Sequence, residues 1–140
     1  MVPSSRPRGR QDGSASVPVA ETYVQVARGM RFEHRMLQLD DLAPCTIVVR
    51  WLPERHLTHV STGSFLDGWE ALSSRNPGLA VEGALDLLDV TARRSGEVRV
   101  RLSDPRIADA GLRWTVDVVH GALPSRSGAC VLTIGSRDDA

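Results

Sequence analysis

The chain has 140 residues, a formal net charge of zero, 41% hydrophobic side chains and 24% charged ones. This length predicts one globular domain that buries roughly two thirds of its unfolded surface, so the fold requires neither a disulfide framework nor a structural metal. Neutrality gives no general attraction to nucleic acid or acidic membranes, and it removes charge repulsion between copies. All 17 basic side chains are Arg, which is typical of a GC-rich bacterial genome. Without lysine, Schiff-base catalysis and a P-loop lysine are excluded.

The two ends of the chain differ in composition from its centre. Residues 1–19 are rich in Pro, Ser and Arg and poor in large apolar side chains, which predicts a flexible arm, and residues 137–140 resemble a frayed tail. The globular domain is therefore expected at 20–136. No run is long enough to span a bilayer, and the N-terminal arginines have no apolar run behind them, so we expect no secretory signal. Cys45 and Cys130 form no CxxC pair and lie in apolar runs typical of buried, inert thiols, so we expect a cytoplasmic protein.

Period-two alternation dominates the first half of the domain. It predicts a first strand with Thr22, Val24 and Val26 on one face, and a second strand that carries Met30, Phe32, His34 and Met36. Arg28-Gly29 between them suggests a hairpin turn. The run 45–52 is apolar on both faces, as in a central strand, and 56–61 reads as a more polar returning strand.

One helix is predicted at about 64–75. Ser64 is its expected N-cap, and Asp67 occupies the acidic position of a capping box. One helical face carries four apolar side chains, which are Phe65, Leu66, Trp69 and Leu72. An Asn-Pro-Gly sequence at 76–78 is expected to end the helix.

The second half returns to strands. The stretch 79–93 has both helical and alternating spacing; a strand is favoured, and Arg94-Ser95-Gly96 is a plausible turn after it. A clear strand follows at 97–103. Asp104-Pro105 is expected to open a loop that ends near Gly111. Two more strands, at 112–120 and 130–134, complete the domain. The predicted fold class is α+β and β-rich: a curved antiparallel sheet or open barrel of about seven or eight strands, with the helix over one face or end.

Signatures of catalysis and of metal or cofactor binding are weak. His56 and His59 are spaced for one face of a helix, but in a strand they point to opposite faces, so no metal site is predicted. Gly63-Ser64-Phe65 does not match the G-x-S-x-G nucleophile elbow, and no nucleotide-binding motif is present. No catalytic residue and no cofactor is therefore assigned. An alternative hypothesis is a small-molecule-binding or hydrolytic barrel whose pocket is lined by histidines: His34, His56, His59 and His120.

Two surfaces are candidates for binding a macromolecule. Arg99 and Arg101 share the solvent face of a predicted strand, next to Arg93 and Arg94, and the guanidinium fork suits carboxylate or phosphate. Trp51 ends a strand and could anchor an interface. A weaker alternative is nucleic-acid binding through the basic arm, which contains Arg6, Arg8 and Arg10.

The region from about 45 to 120 combines a Trp-bearing helix, a Gly-turn hairpin and a Trp-bearing strand. In this layout it is similar to small bacterial immunity and accessory proteins that act by plugging a partner, and no individual family is assigned. The leading hypothesis is therefore a small protein-interaction module that binds a partner stoichiometrically, with homo-oligomer formation as a further option.

Overall fold

A computed structural model describes residues 21–50, 54–88 and 97–135. The expected arm at 1–19, the tail at 137–140, Trp51, Arg93 and Arg94 lie outside these ranges, so what was inferred for them stays a prediction. The described residues form nine strands and one helix: β1 (Glu21–Glu33), β2 (Met36–Leu42), β3 (Cys45–Arg50), β4 (His56–Ser61), α1 (Thr62–Arg75), β5 (Val81–Leu87), β6 (Glu97–Ala108), β7 (Gly111–His120), β8 (Arg126–Ser127) and β9 (Cys130–Ile134).

Six of the strands close into an antiparallel barrel in the order β1-β2-β7-β6-β5-β9 and back to β1. Closure depends on β1, whose 13 residues pair with several neighbours. On one edge it pairs first with β3 and then with β2, and on the other edge with β9 and then β8. The chain bends at Ala43-Pro44, so β2 stays in the barrel wall whereas β3 leaves it and pairs with β4. The predicted α+β, β-rich fold is confirmed, and the barrel is closed.

The barrel is filled by alternating side chains from all six strands. On β6, Val98, Val100 and Leu102 point inward and are buried, while the residues between them are exposed. Gly111 at the start of β7 allows a close approach of β2, since a Cβ there would overlap the Leu39 carbonyl. The remaining buried members of the core are Ala27, Met30, Leu37, Leu39, Phe65, Leu85, Leu112, Trp114, Val116, Cys130, Leu132 and Ile134.

Helix α1 follows β4 directly and contributes to the same core. Its N-cap is Ser61, whose side chain accepts the Ser64 N–H at 3.0 Å, so the helix starts at Thr62 and the predicted cap at Ser64 is wrong. The extended backbone of Ser61, the last residue of β4, explains the earlier start. The predicted apolar face is present: Phe65 is buried, and Leu66 and Trp69 pack against the core.

Two predicted turns are wrong. β1 runs without interruption through Arg28-Gly29, and the hairpin instead turns at His34-Arg35, whose φ angles of 52° and 65° are those of a type I′ turn. A two-residue turn preserves the alternation, so the pattern did not mark its position. The expected loop after Asp104 is mostly strand, because a register shift between Ser103 and Arg106 lets β6 continue.

The strand favoured within 79–93 is present as β5, which occupies Val81–Leu87.

Two side-chain placements differ from expectation. On β1, Thr22, Val24 and Val26 were predicted to share one face, but their burial differs: Thr22 is buried and Val26 is 39% exposed, while Gln25 and Ala27 are buried. Hydropathy alone does not foresee a buried glutamine such as Gln25, whose amide oxygen accepts a hydrogen bond from Trp114. Cys130 is buried as predicted, but Cys45 is exposed, and both thiols are free.

Candidate functional site

The predicted arginine face lies on the outside of β6. Arg99 and Arg101 are both exposed there. Arg101 lies opposite Glu82 of β5 and Asp117 of β7, and the Arg99 guanidinium is 3.9 Å from the Glu82 carboxylate. Carboxylates therefore flank both arginines, and the described part of this face has mixed charge rather than a single positive sign.

The four histidines do not converge on one pocket. His56 lies opposite Arg50, beside the start of β1, whereas His34 occupies the turn at the end of β1, which is 13 residues long. His59 is opposite Ile47, and His120 is opposite Arg99 at the end of β7. All four are exposed. Among residues 21–50, 54–88 and 97–135, no cluster of three His, Cys, Asp or Glu side chains could hold a metal ion.

Helix α1 lies across one end of the barrel and leaves a cleft on each flank. The larger cleft has a volume of about 860 Å³ and runs between α1 and the bulged part of β6. Three of the four charged side chains that line it are engaged with other side chains, whereas Glu70 forms no ion pair with a described residue. The Asp104 carboxylate is 3.2 Å from the Arg106 guanidinium, and Asp117 accepts two hydrogen bonds from Arg35 at 2.8 and 2.9 Å. This cleft therefore offers a broad polar surface and little concentrated charge.

The smaller cleft is an apolar cavity of about 290 Å³ between α1 and the barrel mouth. The ring centroids of Tyr23 and Phe65 lie 5.3 Å apart in the wall of the cavity, and Trp69 also contributes to its aromatic lining. No predicted site residue lies here. The cavity is lined by Glu21, Tyr23, Val60, Ser64, Phe65, Gly68, Trp69, Leu72, Val81, Ile134 and Gly135.

The polar rim of this cavity is internally compensated. Glu21 accepts hydrogen bonds from Arg50 at 2.6 and 3.1 Å and from the Tyr23 hydroxyl at 2.8 Å. The bond from Arg50 holds the pKa of Glu21 below its usual value. Burial, reinforced by the bond to Glu21, raises the pKa of Tyr23 to about 12, so its hydroxyl stays a donor. The rim therefore presents no uncompensated charge to the cavity.

Strand β4 provides a different kind of candidate surface. It pairs with β3 in an unbroken register of six residue pairs, and its other edge is unpaired among the residues that the structure describes. Five of its six residues are exposed, including Leu57 at 62%. An exposed edge of this kind carries free backbone N–H and C=O groups that can bond to another strand.

Neither the cavity nor the free edge was found by sequence reasoning. The cavity joins residues from β1, β4, α1, β5 and the end of β9, which no local pattern connects. The one available signal was Gly68 inside an otherwise regular helix. The run 56–61 was expected to be a polar strand, but a strand pattern does not show how many of its edges are paired.

No protein-family model, no curated protein and no solved structure matches this chain. Within the described ranges, no helix has the length and hydropathy needed to cross a membrane.

Proposed function

We propose that the protein is a stoichiometric protein-interaction module, and that its binding edge is β4. A partner protein would add an extended, uncharged segment to this edge as a further strand. The observation that carries the proposal is the regular, six-residue edge of β4, which no described residue pairs, whereas each other described strand of five or more residues is paired on both sides.

The sequence of β4 supports strand addition because it lacks the features that block it. Natural edge strands are protected by lysine, proline, bulges or inward-pointing charges. The run His-Leu-Thr-His-Val-Ser contains none of these, and its register with β3 has no shift. Backbone hydrogen bonds along the edge would supply affinity, and alternate side chains would supply specificity.

The chemistry of the partner segment follows from the side chains of β4. None of them is ionised when the histidines are neutral, so a charged partner strand would find no counter-charge on β4 itself. Leu57 offers an apolar cross-strand contact, which favours a Val, Ile or aromatic residue opposite it.

The exposed, free thiol of Cys45 fits a reducing compartment, so we propose that this function is exercised in the cytoplasm.

The experiment compares Leu57→Lys with a matched control, Ile107→Lys, because Ile107 is 64% exposed but lies on β6. Each tagged protein captures partners from nuclease-treated lysate, and hydrogen exchange of β4 amides is then measured with the purified captured protein. We expect wild type and Ile107→Lys to bind it and to gain protection in β4, and Leu57→Lys to lose binding at least tenfold.

Two outcomes would overturn this assignment. Equal binding by all three proteins, with unchanged β4 exchange, would remove β4 as the interface. A wild-type dimer in sedimentation, with β4 already protected, would replace the partner protein by a second copy of this chain.

The arginine face of β6 is the competing interface within the same function. The double variant Arg99→Glu/Arg101→Glu should leave capture intact if β4 is the binding edge. Loss of the partner in this variant, with retention in Leu57→Lys, would move the interface to β6.

A further inference from the structure

We infer that the apolar cavity beneath α1 is a binding site for a small, uncharged aromatic molecule that carries one hydrogen-bond acceptor. The inference concerns a second site and does not depend on strand addition at β4. Three observations support the inference: the space beside Gly68, the lining of the cavity, and the compensation of charge at the rim of the cavity.

Gly68 lies in the middle of α1 and lines the cavity. A glycine inside a helix costs about 1 kcal/mol relative to alanine. Close packing does not require this glycine, since a Cβ placed on it would meet no atom within 4 Å. The structural consequence of glycine at this position is therefore an open cavity, which a larger side chain would occupy.

The size and lining of the cavity select the ligand. A volume of about 290 Å³ lies near the lower limit for small-molecule sites, roughly 300–1,000 Å³, which suits a compact two-ring molecule. Tyr23, Phe65 and Trp69 contribute aromatic surface, and Leu72 and Val81 contribute aliphatic surface. Aromatic rings pack favourably on such walls in offset or edge-to-face arrangements.

The rim selects against charged ligands. The Glu21 carboxylate already accepts hydrogen bonds from Arg50 and Tyr23, so a cation entering the cavity would lose hydration and compete with Arg50. An anion would approach that same carboxylate and be repelled. A neutral molecule avoids both costs.

Ser64 provides a hydrogen-bond donor at the rim. Its hydroxyl oxygen accepts a hydrogen bond from the Ser61 hydroxyl at 3.0 Å. Among the described residues its own O–H donates to no acceptor. A carbonyl or ether oxygen on the ligand would satisfy this donor, which is why one acceptor is assigned to the ligand.

The test uses 2-acetonaphthone as a neutral two-ring probe with one carbonyl, and 2-naphthoate as its charged counterpart. Titration calorimetry and quenching of tryptophan fluorescence measure affinity in wild type, Gly68→Leu and Gly68→Ala. We expect saturable 1:1 binding of 2-acetonaphthone by wild type, and binding of 2-naphthoate at least tenfold weaker. Gly68→Leu should lose at least tenfold in affinity for 2-acetonaphthone because its side chain fills the cavity.

Gly68→Ala is the matched control, since it improves helix propensity and adds only a methyl group. It should bind within about twofold of wild type, and both variants should have a raised Tm, which shows that Gly68→Leu is folded. Ser64→Ala should weaken the binding of 2-acetonaphthone several-fold. The affinity for 2-ethylnaphthalene, which lacks the carbonyl, should be unchanged. Leu57→Lys should bind the probe like wild type, which separates this site from β4.

Absence of saturable binding by wild type, or equal affinity in wild type and Gly68→Leu, would overturn the inference. Tighter binding of 2-naphthoate than of 2-acetonaphthone would overturn the assignment of an uncharged ligand.

Discussion

The indole of Trp69 on α1 stands edge-on against the indole of Trp114 in the barrel, with ring centroids 5.1 Å apart and planes inclined by 82°. Phe65 makes a second edge contact with Trp114 at 6.1 Å. Trp114 is fully buried, and its indole N–H donates to the amide oxygen of Gln25 at 3.3 Å. The Trp114 side chain therefore contacts both helix α1 and the buried Gln25 of β1, and its two aromatic contacts help to dock the helix on the barrel.

Replacing Trp69 by alanine should destabilise the protein by about 2 kcal/mol, because the half-buried indole loses its apolar burial and its edge contact with Trp114. Trp69→Phe should retain most of the burial and cost about 1 kcal/mol. Urea unfolding followed by circular dichroism measures both changes. Equal stability of Trp69→Ala and wild type would show that α1 is not held by this contact.

Gln25→Leu should destabilise the fold by about 2 kcal/mol because it leaves the Trp114 N–H buried without an acceptor. Gln25 also donates to Thr46 at 3.5 Å, a long contact whose loss adds little. The double variant Gln25→Leu/Trp114→Phe removes donor and acceptor together, so its cost should be smaller than the sum of the two single changes. Strict additivity in this double-mutant cycle, measured by urea unfolding, would argue against the hydrogen bond.

Glu21→Gln should make the free energy of unfolding less dependent on pH in the acidic range. The pKa of Glu21 in the folded state lies below its ordinary value of 4.5 because Arg50 donates to the carboxylate. The pair therefore stabilises the fold above the unfolded pKa, and this contribution is lost as pH falls through the folded pKa. We expect wild type to exceed Glu21→Gln by about 1 kcal/mol at neutral pH, and this difference should shrink as the pH falls below 4.5 toward the lowered pKa of Glu21.

Free energies of unfolding measured from pH 3 to pH 7 test this dependence. Glu70→Gln is the control, because Glu70 on α1 is exposed and forms no ion pair with any described residue. A constant difference between wild type and Glu21→Gln over this range would contradict the role of the Arg50 pair.

The two thiols should react at very different rates. Cys45 is exposed, whereas burial raises the pKa of the Cys130 thiol to about 11, so little thiolate forms there near neutral pH. A chromogenic disulfide reagent at about pH 8 should titrate one thiol rapidly in the native protein and both in urea. Cys45→Ser should abolish the rapid phase. Two rapid equivalents in native wild type would place Cys130 within reach of solvent.

Local sequence pattern predicted most of the secondary structure. Alternation at Val98, Val100 and Leu102 marked β6, and the spacing of Phe65 and Trp69 marked α1, because these periods reflect one buried face. The His34-Arg35 turn escaped notice for a physical reason. Neither residue is glycine or asparagine, and their positive φ angles are accompanied by tertiary contacts, including the bidentate bond from Arg35 to Asp117.

The sequence by itself determined the class of fold, the approximate position of helix α1 and the absence of lysine chemistry, and it contained no recognisable catalytic motif. Only the tertiary structure decided that the sheet closes, that Gln25 rather than Val26 is buried, and that no described residue pairs with the outer edge of β4. Strand pairing and cavities arise between segments far apart in the chain. A local pattern reports which side chains favour burial, but it contains no information on which distant segment will cover them.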